Sequence, residues 1–256
     1  MKINFTVKGR LGNAIFRYLA STILCIYYNC EYVVNNIQNN NCSDELFCLI
    51  TNNKDKNFGI ISVNMVGYYQ HDSIYKNNKK QIFDYINKHP DHYVLTDGIN
   101  AGDRRNEKFY MINILNTPTS FTKKYKNILH VRLEDFVSLN LFLPNERIIN
   151  LLKNDIVKEE LCIVCKKLET EFENNYILNI VEYLKNKNIN VIIESNDVLT
   201  DYYIMKEAEL LICSKSTLSW CAAFFSKNIQ QCYLPDYDIQ PNIMTCKRPI
   251  DNTILY

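Results

Sequence analysis

The sequence predicts an α/β protein of two layers, with a doubly wound parallel sheet in its C-terminal half. Three observations predict it. Short β-branched runs alternate with stretches whose apolar residues recur at helical spacing. Short loops join them, as strand–helix–strand crossovers in a parallel sheet require. Polar residues cluster where predicted strands end, which is where such sheets hold ligands.

In chain order, Lys2 to Lys8 alternates and is β-branched enough for a first strand, and the break Gly9-Arg10-Leu11-Gly12 follows it. A helix comes next, with Ile15, Tyr18, Leu19, Thr22, Ile23 and Ile26 on one face. Tyr32 to Val34 is a short second strand, and Ser43 ahead of Asp44 and Glu45 is a helix start. Ile60 to Val66 makes a strand ending at Gly67-Tyr68-Tyr69-Gln70, and a helix from about Ser73 to Asn87 follows. Residues from about Gly98 to Tyr125 have weaker periodicity and read as the remaining edge of the first layer plus a linker.

The second half is clearer. Ile128 to Arg132 and Leu161 to Lys166 are buried strands. A helix with Tyr176, Ile177, Ile180, Val181 and Leu184 on one face leads to strand Val191 to Ile193. Asp201 caps a short helix, Leu210 to Cys213 is a strand, Ser216 or Thr217 caps the next helix, and Ile229 to Leu234 is the last strand. These patterns divide the 256 residues into an N-terminal domain, 1–125, and a C-terminal domain, 126–256.

Composition bounds the function. A 47% hydrophobic and 22% charged chain is ordinary for a soluble globular protein. The formal net charge of +1 provides no global field toward nucleic acid or an anionic membrane, so a bound anion must be held by a local site. Arg17 interrupts the apolar stretch from Leu11 to Tyr28, which is neither a clean export signal nor a membrane span. A cytoplasmic location is the resulting expectation. The ten cysteines are scattered, and the single CxxC, Cys162 to Cys165, falls on a strand whose alternation points the two thiols to opposite faces. Buried free thiols are expected, and no metal site.

Four segments carry candidate chemistry. Gly9-Arg10-Leu11-Gly12-Asn13 joins a strand to a helix, where glycines admit a ligand to the backbone and helix amides face an anion. A tight turn explains the same residues equally well. His130-Val131-Arg132-Leu133-Glu134-Asp135-Phe136 places His130 and Arg132 on one face near a strand end, where a guanidinium can clamp phosphate. A surface ion pair between Arg132 and Asp135 is the structural alternative. Glu194-Ser195-Asn196-Asp197 crowds polar groups at a strand end, suited to reading a base or ribose, or simply to a polar turn. Cys213-Ser214-Lys215-Ser216-Thr217 gathers hydroxyls and a lysine at a helix start, where capping accounts for one hydroxyl but not the cluster.

In order and spacing, these segments resemble the GDP-fucose-using α1,2-, α1,6- and protein O-fucosyltransferases. Gly9 to Asn13 is similar to their G-x-[LF]-G-N-Q opening, with Ala14 in place of Gln, and Gly67 to Gln70 to G-Y-[FW]-Q. His130-Val131-Arg132 resembles H-x-R followed by x-G-D-[YF], with Glu134 in place of Gly. Ser195-Asn196-Asp197 is similar to S-D-D, and Ser214 to Trp220 to N-S-[ST]-F-S-W-W. The resemblance implies a GT-B-like enzyme of two Rossmann-type layers, inverting and metal-independent, with no cofactor. Its partners would be a nucleotide-sugar donor on the C-terminal domain and a glycan acceptor on the N-terminal one. It further implies that Arg132 grips the β-phosphate with His130, Ser214, Ser216 and Thr217 around it. Asn13, Gly12 and Arg10 would serve the donor from the first layer, and Asp197, Ser195 or Asn196 would read guanine or ribose. Asp135, Asp103 and Glu134 are the candidates for the acceptor's base. Another GDP- or UDP-sugar as donor, or a binding protein without catalysis, are the alternatives.

Overall fold

The computed structural model describes residues 2–5, 9–29, 31–34, 41–53, 62–65, 69, 72–96, 107–236 and 248–256. The chain forms two compact units, Met1–Thr119 and Ser120–Tyr256. Both are α/β with a parallel sheet, as predicted.

In the first unit, β1 (Lys2–Phe5) lies between β2 (Glu31–Val34) and β4 (Ser62–Met65), and β3 (Asn41–Cys42) lies outside β4. All neighbours are parallel. The crossover from β1 to β2 is helix α1 (Leu11–Tyr28), buried from Leu11 to Cys25 apart from Asn13. Arg17, Ser21 and Thr22 are buried along with its apolar residues, and the Ser21 hydroxyl donates back to the Arg17 carbonyl at 2.8 Å. Ser43 caps α2 (Asp44–Asn52) as predicted, its Oγ accepting from the N–H of Leu46 at 3.2 Å.

Two expectations for this unit are corrected. The single helix read from Ser73 to Asn87 is two, α3 (Asp72–Asn77) and α4 (Lys79–Lys88). Asn78 breaks them apart: its backbone leaves helical geometry and its side-chain amide donates to the Ile74 carbonyl at 2.8 Å. This local competition is why Asn is a poor interior helix residue. The stretch read from about Gly98 as an edge of the first layer supplies β6 (Lys108–Tyr110), which pairs antiparallel with the preceding β5 (Tyr93–Leu95) apart from that sheet, and then α5 (Met111–Leu115). Three-residue strands are too short to show a period.

The second unit has a six-stranded sheet in the order β12-β11-β10-β7-β8-β9. Its strands are β7 (Asn127–His130), β8 (Glu160–Val164), β9 (Asn190–Glu194), β10 (Leu210–Ile212), β11 (Gln231–Leu234) and β12 (Thr253–Leu255). Every pairing is parallel. From β7 the sheet grows outward through β8 to β9, then restarts on β7's other side with β10, β11 and β12. That is the doubly wound arrangement. Leu129, Val131, Leu161, Ile163, Ile212 and Tyr233 pack on one face against α7 (Asn145–Leu152) and α8 (Glu171–Asn186). Alternate residues, including Ile128, Cys162, Leu211 and Cys232, point to the other face. α9 (Val198–Lys206) and α10 (Thr217–Phe225) pack against each other in this unit, and α9 against β8.

β12 overturns the expectation that Leu234 ends the last strand. It is a three-residue edge paired only with β11. The strand read as far as Arg132 ends at His130, although the Val131 N–H still reaches the Val164 carbonyl at 2.9 Å. Asp197, not Asp201, caps α9: its Oδ1 accepts from the N–H groups of Leu199 and Thr200, both at 3.0 Å. The eight described cysteines are free and all but Cys48 are buried. Burial raises Cys162 and Cys165 to a pKa of about 12, which makes them poor nucleophiles.

α8 starts on a reciprocal cap. Thr170 Oγ1 accepts from the Glu173 N–H at 3.2 Å, and Glu173 Oε2 accepts from the N–H groups of Thr170 and Glu169 at 2.9 and 2.8 Å. Thr170→Ala removes one half of it, and a loss of about 1 kcal/mol is expected in urea unfolding.

Candidate functional site

A doubly wound sheet separates its crossovers at one place, where neighbouring strands send their following loops to opposite faces and leave a crevice. Here that place lies between β7 and β10, paired as Leu210 with Asn127 through Ile212 with Leu129. His130 ends β7 and Ser214 follows β10. Their side chains meet, His130 Nδ1 and Ser214 Oγ being 2.8 Å apart, and both are buried. Burial first, and then the charge of Arg132, push the imidazole pKa down to about 3. His130 is therefore neutral near pH 7 and acts as a hydrogen-bonding post rather than a cation.

Arg132 lies two residues beyond His130, with its side chain 15% exposed. Its Nη2 donates to Asp135 Oδ1 at 3.1 Å and Oδ2 at 3.2 Å, and its guanidinium carbon lies 4.4 Å from the centre of the Phe136 ring. Ring and carboxylate together fix the plane of the guanidinium.

Between them Glu134 has φ +36°, the left-handed region that L side chains enter at a cost. The resemblance described above places glycine at this position, and the backbone shows the reason. Two contacts hold the turn: the Glu134 carboxylate lies 3.8 Å from Lys166 Nζ, and its N–H is among the donors on the Glu173 carboxylate.

On the β10 side, Ser216 donates its N–H to the Ser214 carbonyl at 2.7 Å, a tight turn centred on Lys215. Ser216, one of the two caps foreseen, then caps α10, its Oγ accepting from the Leu218 N–H at 3.2 Å. Thr217 is the first residue of α10. Trp220 is fully buried and stacks on Phe224 at 5.3 Å.

The structure thus gathers His130, Arg132, Asp135, Ser214, Ser216 and Thr217 along the rim of β7 and β10. Ser195 and Asp197 stand elsewhere, after β9 at the sheet's far edge. Asp197 is committed to its cap, with Thr200 Oγ1 also donating to Oδ2 at 2.6 Å.

Beside them is a network that spacing could not reveal. Lys123 Nζ donates to Glu194 Oε2 at 2.8 Å and Asn196 Oδ1 at 2.9 Å, and the Tyr125 hydroxyl donates to Glu194 Oε1 at 2.5 Å. Asn196 Nδ2 bridges Glu194 and Asp201 at 2.9 and 3.0 Å. Burial raises the Glu194 pKa, but the donors Lys123, Tyr125 and Asn196 outweigh it and bring it down to about 2. For Asp201 burial prevails over the Asn196 bonds, and with the charges of Asp197 and Glu194 it lifts the pKa to about 7. The bonds from Lys123 and Tyr125 tie residues sequence-assigned to the first domain into the second unit.

In the first unit, Gly9 has φ +83°, and a Cβ there would come within 3.1 Å of Asn13 Nδ2. Glycine is thus required both by the turn and by the close approach of Asn13. Arg10 is the N-cap residue of α1, without a side-chain cap bond, and Gly12 is buried. Tyr69 is buried, donating its N–H to Asp44 Oδ1 at 2.7 Å and its hydroxyl to the Cys42 carbonyl. Gly67, Tyr68, Gln70 and Asp103 lie outside the described residues. Among the described residues no group of three His, Cys, Asp or Glu could hold a metal ion, and no helix is long and apolar enough to cross a membrane.

Two solved structures resemble the chain. POFUT1 in complex with GDP-fucose aligns at 10% identity over 90% of this chain and 96% of that one, with a TM-score of 0.41. An Arabidopsis thaliana FUT1 mutant in complex with GDP aligns at 10% identity over 87% of this chain and 68% of that one, also with a TM-score of 0.41. No family model and no curated protein matches the chain.

Two outcomes are expected. Glu134→Gly relieves the left-handed backbone and raises unfolding stability by about 1 kcal/mol, whereas Glu134→Ala does not. Asp201 binds its proton more tightly folded than unfolded, so its contribution to stability falls as pH rises from about 4 to about 7. Glu194 acts oppositely, contributing above its unfolded pKa and losing that contribution as pH falls toward 2. Asp201→Asn, which keeps the acceptor oxygen for Asn196, gains stability over the parent at about pH 8 and much less at about pH 4, read by urea titration at both.

Proposed function

We propose that this chain is a glycosyltransferase that moves L-fucose from GDP-fucose to a glycan hydroxyl, with inversion and without a metal. The observation that carries this reading is the meeting of His130 and Ser214 across β7 and β10, with Arg132 and the start of α10 on the same rim. The motif order along the chain supports it.

Breaking a glycosyl–phosphate bond leaves negative charge on the departing phosphate and oxocarbenium character on the sugar. Donors already fixed around that phosphate stabilise the transition state more than the ground state. Arg132 suits this work, because Asp135 and Phe136 hold its guanidinium in one plane. A guanidinium has five N–H donors, and Asp135 engages those of Nη2. Asp135 is on this reading a positioning residue as much as a base. The first turn of α10, with Ser216 and Thr217, adds backbone donors oriented by the helix. His130, neutral and tied to Ser214, keeps the two strand ends in register without adding a charge that would repel Arg132.

The test is turnover of a panel of GDP- and UDP-sugars with glycan acceptors, alongside thermal shift, where a ligand at 100 times its Kd adds about 2.7 kcal/mol. GDP-fucose is expected to give both shift and transfer. Transfer from a different nucleotide sugar replaces the donor. GDP binding with neither transfer nor hydrolysis makes this a nucleotide-binding protein instead. Arg132→Ala, folded, is expected to lose about 100-fold or more in turnover; near-parental turnover rules out its role.

A further inference from the structure

We propose that Tyr256 is a positioning residue of the crevice between β7 and β10, its hydroxyl replacing a strand N–H that Pro235 removes. The inference rests on reading that crevice as a nucleotide site, and it deepens that reading by naming what holds the β10 side in place.

In a parallel pair, a residue facing its neighbour donates to one residue of that neighbour and accepts from the residue two further on. Along β11 the odd-numbered residues face β10 and the even-numbered ones face β12. The Gln231 N–H goes to the Glu209 carbonyl at 3.2 Å and the Tyr233 carbonyl accepts from the Cys213 N–H at 2.8 Å, while the Cys232 N–H goes to the Asn252 carbonyl at 3.0 Å. The alternation continues past the end of β11. The Leu234 carbonyl accepts from the Tyr256 N–H at 3.1 Å, and the Asp236 N–H donates to the main-chain oxygen of Tyr256 at 2.8 Å. Residue 235 is therefore held in strand register and faces β10, where its N–H would be the next donor, to the Cys213 carbonyl. It is a proline, which has no N–H.

Cys213 is fully buried, so its carbonyl cannot turn to water instead. The Tyr256 hydroxyl supplies the donor, reaching past β11 to the Cys213 carbonyl at 2.9 Å. Arg147, in the first turn of α7, steadies that tyrosine. It donates to the main-chain oxygen of Tyr256, and its guanidinium carbon lies 6.0 Å from the ring centre.

The bond fixes a peptide plane. The Cys213–Ser214 peptide is trans, so a carbonyl held toward β11 sends the Ser214 N–H the opposite way, toward β7. From that plane Ser214 Oγ meets His130 Nδ1 at 2.8 Å, and the Ser214 carbonyl accepts from the Ser216 N–H just ahead of α10. Without its donor the plane is free to rock and to carry the turn with it. Tyr256 thus acts on the crevice through Cys213.

The variants that test this are Tyr256→Phe, which removes only the hydroxyl, Pro235→Ala, which returns the N–H, and the two together. Each full chain is melted, then followed by the NMR signals of His130 in isotope-labelled protein and by calorimetric titration with GDP. Tyr256→Phe is expected to shift the His130 Nδ1 signal and to weaken GDP about tenfold, the scale of one buried hydrogen bond. Pro235→Ala alone stays near the parent in both, and the double variant regains most of what Tyr256→Phe loses. Tyr256→Phe with parental His130 signals, or with the parent's GDP affinity where the parent binds it, overturns the proposal. So does a double variant no better than Tyr256→Phe. If Tyr256→Phe does not melt cooperatively, restored cooperative melting in the double variant supports the proposal and its absence overturns it. A parent that binds no GDP overturns the nucleotide reading alone, and the His130 signals with their rescue still decide the role of Tyr256.

Discussion

The separation of crossovers between β7 and β10 is the constraint on which the rest of the second unit depends. Parallel strands send their connections over one face or the other, and only where the direction changes does the rim open. β7 is the first strand of the sheet and β10 the fourth, so the residues facing that opening come from positions far apart in sequence. The hydrogen bond between His130 and Ser214 ties its two sides together directly. Its neutrality matters. A protonated histidine beside Arg132 would add repulsion at a buried point, and burial removes that option.

The rim of this sheet carries two separate groups of charged side chains. Beyond β9 lie Glu194, Asp197 and Asp201, held by Lys123, Tyr125, Asn196 and the amides of α9. Around β7, β10 and the ends of β11 and β12 lie Arg132, Lys215 and Arg147. The acidic end is the more self-contained, since each carboxylate there accepts from donors in its own network.

Much of this was legible in the sequence because the strands are buried on both faces and the helices are capped by residues with one strong local preference. Ser43 and Ser216 act next to themselves in the chain, so their signals are local. What stayed hidden was of two kinds. β12, β5 and β6 are three residues each, below the length at which alternation shows. Arg147 and Lys123 meet partners from distant segments, and nothing in the neighbourhood of either residue announces that meeting. The sequence points to Asp201 as the cap where Asp197 serves, because both are acids near a helix start and only the backbone decides which precedes the first turn. Glu134 is the opposite case: an unusual residue at a turn, visible in the sequence and explained by its positive φ.

The chain contains one tryptophan, and the fold puts it in α10. Trp220 is sealed from water against Phe224, four residues after the Ser216 cap. Its indole emission consequently reports a single place, the interior of the helix that opens onto the β10 turn. A change in that helix can be followed in the unmodified protein, with no dye and no second fluorophore of its kind to confuse the signal.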